Sequence, residues 1–182
     1  VVKSNAYGHG AVEIARTLDQ ADAFGVGTID EGIELREAGI KRPILILLGI
    51  IEPYLEELVR CQLTPVLYDL AVAKKLNNFL QQKGQTLEVH LKIDTGMTRL
   101  GILPSLVPSF FSEIAKCPNL RPVGLLSHLA DAGNSVATKK QIQEMGDAWQ
   151  EFVGVFPQAR CYHLANSLAS IHLQGDVRQR RT

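Results

Sequence analysis

The sequence predicts an α/β protein whose parallel sheet forms an incomplete (β/α)8 TIM-type barrel, with about seven of the eight strands present. Short apolar segments alternate with segments whose apolar residues recur at helical spacing, as in a parallel sheet. Residues 43–49 (PILILLG) are almost continuously apolar, which is typical of a strand buried on both faces. No polar, edge-like strand interrupts the alternation, which favours a barrel over an open doubly wound sheet.

The predicted strands and helices follow one another in a regular order. The strands, of which the first is only a stub, cover residues 1–2, 23–27, 43–49, 63–68, 87–93, 122–128 and 159–164. The helices cover residues 11–18, 28–39, 52–62, 70–82, 105–117 and 137–156. Thr28 and Glu31 form a capping box at the start of the second helix, and Gly39 and Gly84 end the second and fourth helices.

The composition excludes several functional classes. With 182 residues, 46% of them hydrophobic and 21% charged, the chain has the profile of a soluble globular domain. Lys and Arg together number 19, as do Asp and Glu, so no charged surface is expected for nucleic acid or an anionic membrane. The longest apolar run is too short to span a bilayer. Three cysteines without zinc-ligand spacing predict buried thiols in a reducing cytoplasm, and no metal site.

Polar and reactive side chains collect where the predicted strands end. They are Lys3, residues 94–99, His128 and residues 163–167. In a parallel barrel the carboxyl ends of the strands converge on one face, where active sites are built. We therefore expect these groups to come together in one functional site.

Residues 3–10 (KSNAYGHG) follow two apolar residues and lead into a helix. Alone, Lys3 is interpretable as an ordinary basic residue, although a lysine amine at the end of a buried strand is also a candidate Schiff-base nucleophile. The whole segment resembles the pyridoxal-phosphate lysine segment of the alanine racemases. This resemblance implies that Lys3 binds pyridoxal phosphate covalently and that Tyr7 hydrogen-bonds the cofactor phosphate.

Residues 92–101 (KIDTGMTRLG) form a second segment that resembles the alanine racemases. Taken alone, the segment is a strand, a glycine turn and a surface arginine. The resemblance implies that Arg99 contacts the phenolic oxygen of the cofactor and the substrate carboxylate, for which its planar fork is suited. It also implies that Lys92 matches a lysine that many members carry as a carbamate, which would hold Arg99 in place.

Two further strand ends resemble the same family, residues 127–131 (SHLAD) and residues 163–167 (HLANS). The resemblance implies that His128 packs at the pyridine ring and that Ser167 binds the cofactor phosphate. It places His163 and Asn166 in the hydrogen-bond network behind the cofactor. Without the resemblance, His128 is an ordinary core histidine and Ser167 a helix cap.

A Val-Arg pair at residues 177–178 corresponds to the family arginine that faces the pyridine nitrogen. In this chain the pair comes early and is followed by QRRT in place of small residues and an apolar strand. Arg178 is therefore either that cofactor ligand or part of a solvated basic tail.

The resemblance runs from residue 1 to residue 167 and implies a barrel of the alanine racemase kind that interconverts L-alanine and D-alanine for peptidoglycan. It implies a cytoplasmic homodimer with shared active sites. Residues 1–182 would be part of the N-terminal barrel, without its eighth strand and without the C-terminal β domain whose tyrosine enters the partner's site. We expect this piece alone to show little or no racemase activity.

Three alternatives remain open from the sequence. A related barrel amino-acid decarboxylase would also carry a lysine at a strand end, although the segments quoted above argue against it. A non-catalytic barrel that only carries pyridoxal phosphate would need no second domain. The tail at residues 179–182 is consistent with a remnant of a broken reading frame.

Overall fold

The computed structural model describes residues 1–172 and 178–180, which form a curled sheet surrounded by helices. Within these residues the sheet has the order β1-β2-β3-β4-β5-β6-β7, and its first six strands are parallel. The strands are β1 Phe24–Val26, β2 Ile44–Ile46, β3 Thr64–Leu67, β4 Leu87–Lys92, β5 Leu120–Leu126, β6 Cys161–His163 and β7 Arg178–Arg180. The sheet is an incomplete barrel, as the sequence predicts.

In the described residues two helical segments precede β1, the first of them a left-handed turn, and one helix follows each of the six parallel strands. The helices are α1 Lys3–Tyr7, α2 Ala11–Thr17, α3 Ile29–Glu37, α4 Leu55–Arg60, α5 Leu70–Lys83, α6 Val107–Ala115, α7 Ser135–Val155 and α8 Ser167–His172. Short 3-10 turns, Glu52–Tyr54 and Pro104–Leu106, precede α4 and α6. The predicted capping box is present, because Thr28 accepts from the backbone N–H of Glu31 and Glu31 accepts from that of Thr28.

The prediction of a strand at residues 1–2 is wrong, so six of the seven predicted parallel strands are present among the described residues. Residues 1–2 form no strand, although the N–H of Val2 donates to the carbonyl of Gly25 at 2.8 Å beside β1. The backbone turns left-handed immediately after Lys3, so the ladder does not continue. At the other end, the backbone of Arg178–Arg180 pairs antiparallel with β6. A solvated basic tail was one of the two interpretations of these residues from the sequence.

The core lies between the sheet and its helices. β2 is buried at all three positions, which accounts for its uninterrupted apolar sequence. On the outer side, Phe111 of α6 meets Phe152 of α7 edge to face, with ring centroids 5.4 Å apart. Nowhere in the described part of the chain is a helix both long and apolar enough to cross a membrane. The polar residues at the ends of β4, β5 and β6 lie at the carboxyl edge of this sheet.

Candidate active site

Lys3 begins a single left-handed turn of L-amino acids. Ser4, Asn5, Ala6 and Tyr7 have φ values of 51°, 52°, 51° and 56°. This conformation costs each L-residue roughly 1–2 kcal/mol, and strain of this kind concentrates at functional sites. The turn places the half-buried Lys3 at its start and Tyr7, 61% exposed, at its end.

Hydrogen bonds hold this turn to its flanking segments. The N–H of Ala6 donates to the carbonyl of Val2 at 2.8 Å, and the side-chain oxygen of Asn5 accepts from the N–H of Ala11 at 2.8 Å. Gly8, with φ 92°, ends the turn, since a left-handed residue at this position favours glycine. The KSNAYGHG segment is therefore one structural unit, with a lysine amine and a phenol at fixed positions.

Asp94 organises the loop that carries Arg99. Its buried carboxylate accepts from the N–H of Gly96 at 3.0 Å, of Thr98 at 2.9 Å and of Arg99 at 2.9 Å. Burial acts to raise the pKa of Asp94, but the backbone N–H groups outweigh it and the pKa is lowered. The ionised carboxylate therefore fixes the backbone from which the exposed Arg99 side chain extends.

Lys92 is buried at the end of β4, where only 6% of it is exposed. Burial lowers its pKa to about 8, with a further lowering from the charge of Arg99 and an opposing effect from Asp94. An amine with this pKa is partly neutral near neutral pH, so it is available for reaction with an electrophile.

His128 lies half-buried just after β5. Burial lowers its pKa, and the charges of Lys92, Arg99 and Lys3 lower it further. The imidazole is therefore neutral at neutral pH. Because the charges of Lys3, Lys92 and Arg99 all act on His128, these four side chains lie in one region of the structure.

His90 and His163 form a histidine pair between β4 and β6. The Nδ1 atom of His90 lies 3.1 Å from Nε2 of His163. Burial, followed by the charges of His163 and Arg160, lowers the pKa of His90 to about 3. Burial and the charge of Lys92 lower the pKa of His163 to about 4. No sequence motif singles out His90, which has a partner only because three-dimensional packing brings His163 to it.

This pair makes stability depend on pH. Both folded-state pKa values lie below the ordinary 6.5, so the unfolded chain binds protons that the folded chain does not. The free energy of unfolding should fall as pH drops from 6.5 towards 4, by up to about 1.4 kcal/mol per pH unit for each histidine. Urea unfolding across this range measures the slope. His90→Gln should make this slope shallower, because one of the two buried histidines is removed. His9→Gln, at an exposed position, should keep the wild-type slope. Equal slopes in the two variants would contradict the prediction.

Gln141 is a site residue that the sequence analysis missed. Its side chain, 3% exposed, extends from α7 and accepts from the N–H of Ala130 at 2.9 Å. It donates to Oγ1 of Thr95 at 3.1 Å and to the carbonyl of His128 at 3.0 Å. Gln141 thus connects the loops after β4 and β5, but a glutamine within a long amphipathic helix gives no signal of this in the sequence.

The remaining predicted residues lie at the end of β6. Asn166 donates to the carbonyl of Leu129 at 3.3 Å and caps α8 by accepting from the N–H of Ala169 at 2.9 Å. Ser167, the first residue of α8, is exposed. The backbone of Arg178 pairs with His163, while its side chain lies outside the described residues. Within the described residues, no group of three or more His, Cys, Asp or Glu side chains is arranged to hold a metal ion.

Comparisons with known proteins agree in pointing to one family. Residues 1–179 match the family described as alanine racemase, N-terminal domain. The alanine racemase of Synechocystis sp. is 44% identical over 182 residues, which cover 96% of this chain and 48% of that protein. The biosynthetic alanine racemase of Escherichia coli O6:H1 is 42% identical over 146 residues, covering 78% of this chain and 40% of that one.

Solved structures give the same result. Alanine racemase from Clostridium difficile 630 superposes with a TM-score of 0.89 at 33% identity, covering 98% of this chain and 51% of that chain. The enzyme from Bartonella henselae, solved with covalently bound pyridoxal phosphate, superposes with a TM-score of 0.79 at 26% identity, covering 97% of this chain and 51% of that chain. The chain spans about half the length of these relatives. It therefore belongs to the alanine racemase family and matches the N-terminal domain of its members.

Proposed function

We propose that the chain is the pyridoxal-phosphate-binding barrel of an enzyme that interconverts L-alanine and D-alanine. The observation that carries the proposal is the left-handed turn that begins at Lys3, whose charge acts on His128 together with those of Lys92 and Arg99. Relatives of this chain are named alanine racemase, and one was solved with the cofactor covalently bound. D-Alanine for peptidoglycan would be the product that this activity supplies in the cytoplasm.

The residues present fit pyridoxal phosphate by their chemistry. Lys3 offers an amine for the cofactor aldehyde, while the exposed hydroxyls of Tyr7 and Ser167 suit its phosphate. Arg99 suits the phenolic oxygen and a substrate carboxylate, because a guanidinium forms paired charge-assisted hydrogen bonds. The neutral imidazole of His128 can pack at the pyridine ring without adding charge. Arg178 and Asn166 complete the proposed set at the end of β6.

The cofactor supplies electron withdrawal that acidifies the hydrogen on the substrate α-carbon. In the proposed mechanism Lys3 is the base that takes and returns this proton on one face of the substrate. Arg99 binds the alanine carboxylate and so holds the α-carbon within reach of the Lys3 amine. Racemisation needs a second base on the opposite face. We assign that role to a tyrosine of a second domain, contributed across a homodimer with shared active sites.

Two measurements test the proposal on the purified protein. After incubation with pyridoxal phosphate and reduction with borohydride, peptide mapping should place the pyridoxyl group on Lys3. Alanine incubated with the loaded protein in heavy water should gain deuterium at its α-carbon. Covalent loading without α-proton exchange would favour a non-catalytic carrier, and label on a different lysine would contradict the assignment of Lys3.

Arg99→Lys keeps the positive charge but removes the planar fork. A charge-assisted contact contributes about 1.5–3 kcal/mol, so we expect α-proton exchange to slow by roughly 10- to 100-fold. The side chain is exposed, so thermal unfolding should stay the same. Arg60→Lys, which changes an exposed arginine away from the site, is the control. Unchanged exchange kinetics in Arg99→Lys would remove Arg99 from the mechanism.

We further propose that Lys92 is carbamylated. Its neutral amine would react with carbon dioxide to give a carbamate and release one proton, which turns a cation beside Arg99 into an anion. Since burial lowers the pKa of Lys92 to about 8, the modified fraction should rise as pH increases towards that value. NMR with isotopically labelled bicarbonate should show one carbamate signal that Lys92→Arg removes and Lys74→Arg does not. A signal that persists in Lys92→Arg would refute the assignment.

A further inference from the structure

The carboxylate of Glu31 contacts both the lysine turn and the backbone that follows β1. Its Oε1 accepts from the N–H of Ser4 at 2.7 Å, directly after Lys3 in the chain. Its Oε2 accepts from the N–H of Gly27 at 2.6 Å, just after β1, and from that of Thr28 at 3.4 Å. One carboxylate therefore joins the start of the lysine turn to residues 27–28, two segments that are distant in sequence.

The bond to Ser4 lies at the first strained residue of the turn. Four consecutive left-handed residues persist only where surrounding contacts fix them, because each of them disfavours this conformation. Ser4 directly follows Lys3, and its N–H donates to a carboxylate, which makes this a strong hydrogen bond. Breaking this bond would release the turn at the end where the amine is attached.

The capping box alone does not account for these contacts. A capping-box glutamate needs only the bond to the N-cap N–H, which here is the longest of the three. The shortest goes to Gly27, where a Cβ atom would lie 3.2 Å from Oε2 of Glu31. The backbone at residue 27 thus approaches the carboxylate closely, and both oxygens are used as acceptors.

We infer that Glu31 is a positioning residue, whose carboxylate fixes the left-handed turn and thereby sets the places of the Lys3 amine and the Tyr7 phenol. The inference rests on the proposed function for the roles of Lys3 and Tyr7. All donors to Glu31 are N–H groups, so an amide of the same shape can satisfy only one side. Its NH2 group would face the backbone N–H of either Ser4 or Gly27, and two donors form no hydrogen bond with each other.

Glu31→Gln is the test, read by two methods on the purified protein. Hydrogen exchange at the Ser4 amide should become about 10-fold faster, since its bond to a carboxylate is either lost or replaced by a weaker bond to a neutral amide oxygen. The apparent Kd for pyridoxal phosphate trapped on Lys3 should rise roughly 10- to 100-fold. Glu31→Asp keeps the charge but is one methylene shorter, so it should show the same two changes even if the glutamine variant folds poorly.

Two matched variants separate positioning from helix capping and from charge. Thr28→Ala removes the other half of the capping box and weakens α3, but it leaves the bond between Glu31 and Ser4. Glu34→Gln removes one exposed negative charge from the same helix. Both should leave Ser4 exchange and Lys3 loading unchanged. If Thr28→Ala reproduces the defects of Glu31→Gln, or if Glu31→Gln loads normally, the inference is overturned.

The same experiment distinguishes this inference from the proposed function. If the wild-type protein fails to load at Lys3, the proposed function fails, and Ser4 exchange still decides whether Glu31 fixes the turn. If the wild type loads and Glu31→Gln loads equally well, only the role of Glu31 is refuted.

Discussion

Replacing Lys3 with arginine should abolish covalent loading with pyridoxal phosphate and leave the fold intact. Arginine keeps the positive charge at the start of the left-handed turn, but its guanidinium stays protonated and forms no stable Schiff base. Because the same amine is the proposed proton acceptor, α-proton exchange of alanine should fall by about 10²- to 10⁴-fold, the usual effect of a positioned base. Borohydride trapping and exchange in heavy water measure both effects.

The control for this variant is Lys41→Arg, which changes an exposed lysine outside the site. It should load and exchange as the wild type does. Pyridoxyl label that moves to Lys92 in Lys3→Arg would show that the cofactor recognises the region around His128 but not this particular amine. Full exchange activity in Lys3→Arg would exclude Lys3 as the base.

Gly101→Ala should destabilise the protein by roughly 2–4 kcal/mol, because it combines backbone strain with an overlap that cannot relax. Gly101 has φ 130°, and a Cβ atom there would lie 2.6 Å from the backbone N of Asp94 and 2.6 Å from the carbonyl carbon of Ile93. These are backbone atoms next to the bridge between Ile93 and Ile102. Urea unfolding measures the loss of stability. Because Asp94 binds the backbone N–H of Arg99, a shift of Asp94 should also displace Arg99 and weaken its proposed contact with substrate.

Gly39→Ala separates the two causes. Gly39 also has a positive φ, 86°, but a Cβ atom there would meet nothing within 4 Å. It should therefore cost only the conformational part, about 1 kcal/mol. If Gly101→Ala costs no more than Gly39→Ala, the backbone around Asp94 is more adaptable than its contacts indicate.

Much of the architecture could be predicted from local patterns in the sequence. The uninterrupted apolar run at residues 43–49 predicted β2, and the Thr28–Glu31 pair predicted the start of α3, because short-range backbone preferences control both. The proximity of Arg99 and His128 followed from one topological rule, since the parallel strands β4 and β5 bring their carboxyl ends together, whereas Lys3 follows no strand. The count of parallel strands failed at residues 1–2, where a left-handed turn replaces the extended backbone that two valines favour.

The amino-acid sequence alone was sufficient for the fold class and the family, because these depend on periodicity and on contiguous motifs, and it also predicted Lys3 as the cofactor lysine. How the site residues are fixed in place became clear only from long-range contacts in the fold. Gln141 joins two loops, His90 meets His163, and Glu31 reaches Ser4 across 27 positions. The physical reason is that such contacts connect segments far apart in the chain, so no local spacing records them. A left-handed turn of residues other than glycine also depends on contacts with distant segments, because each of these residues by itself favours other backbone conformations.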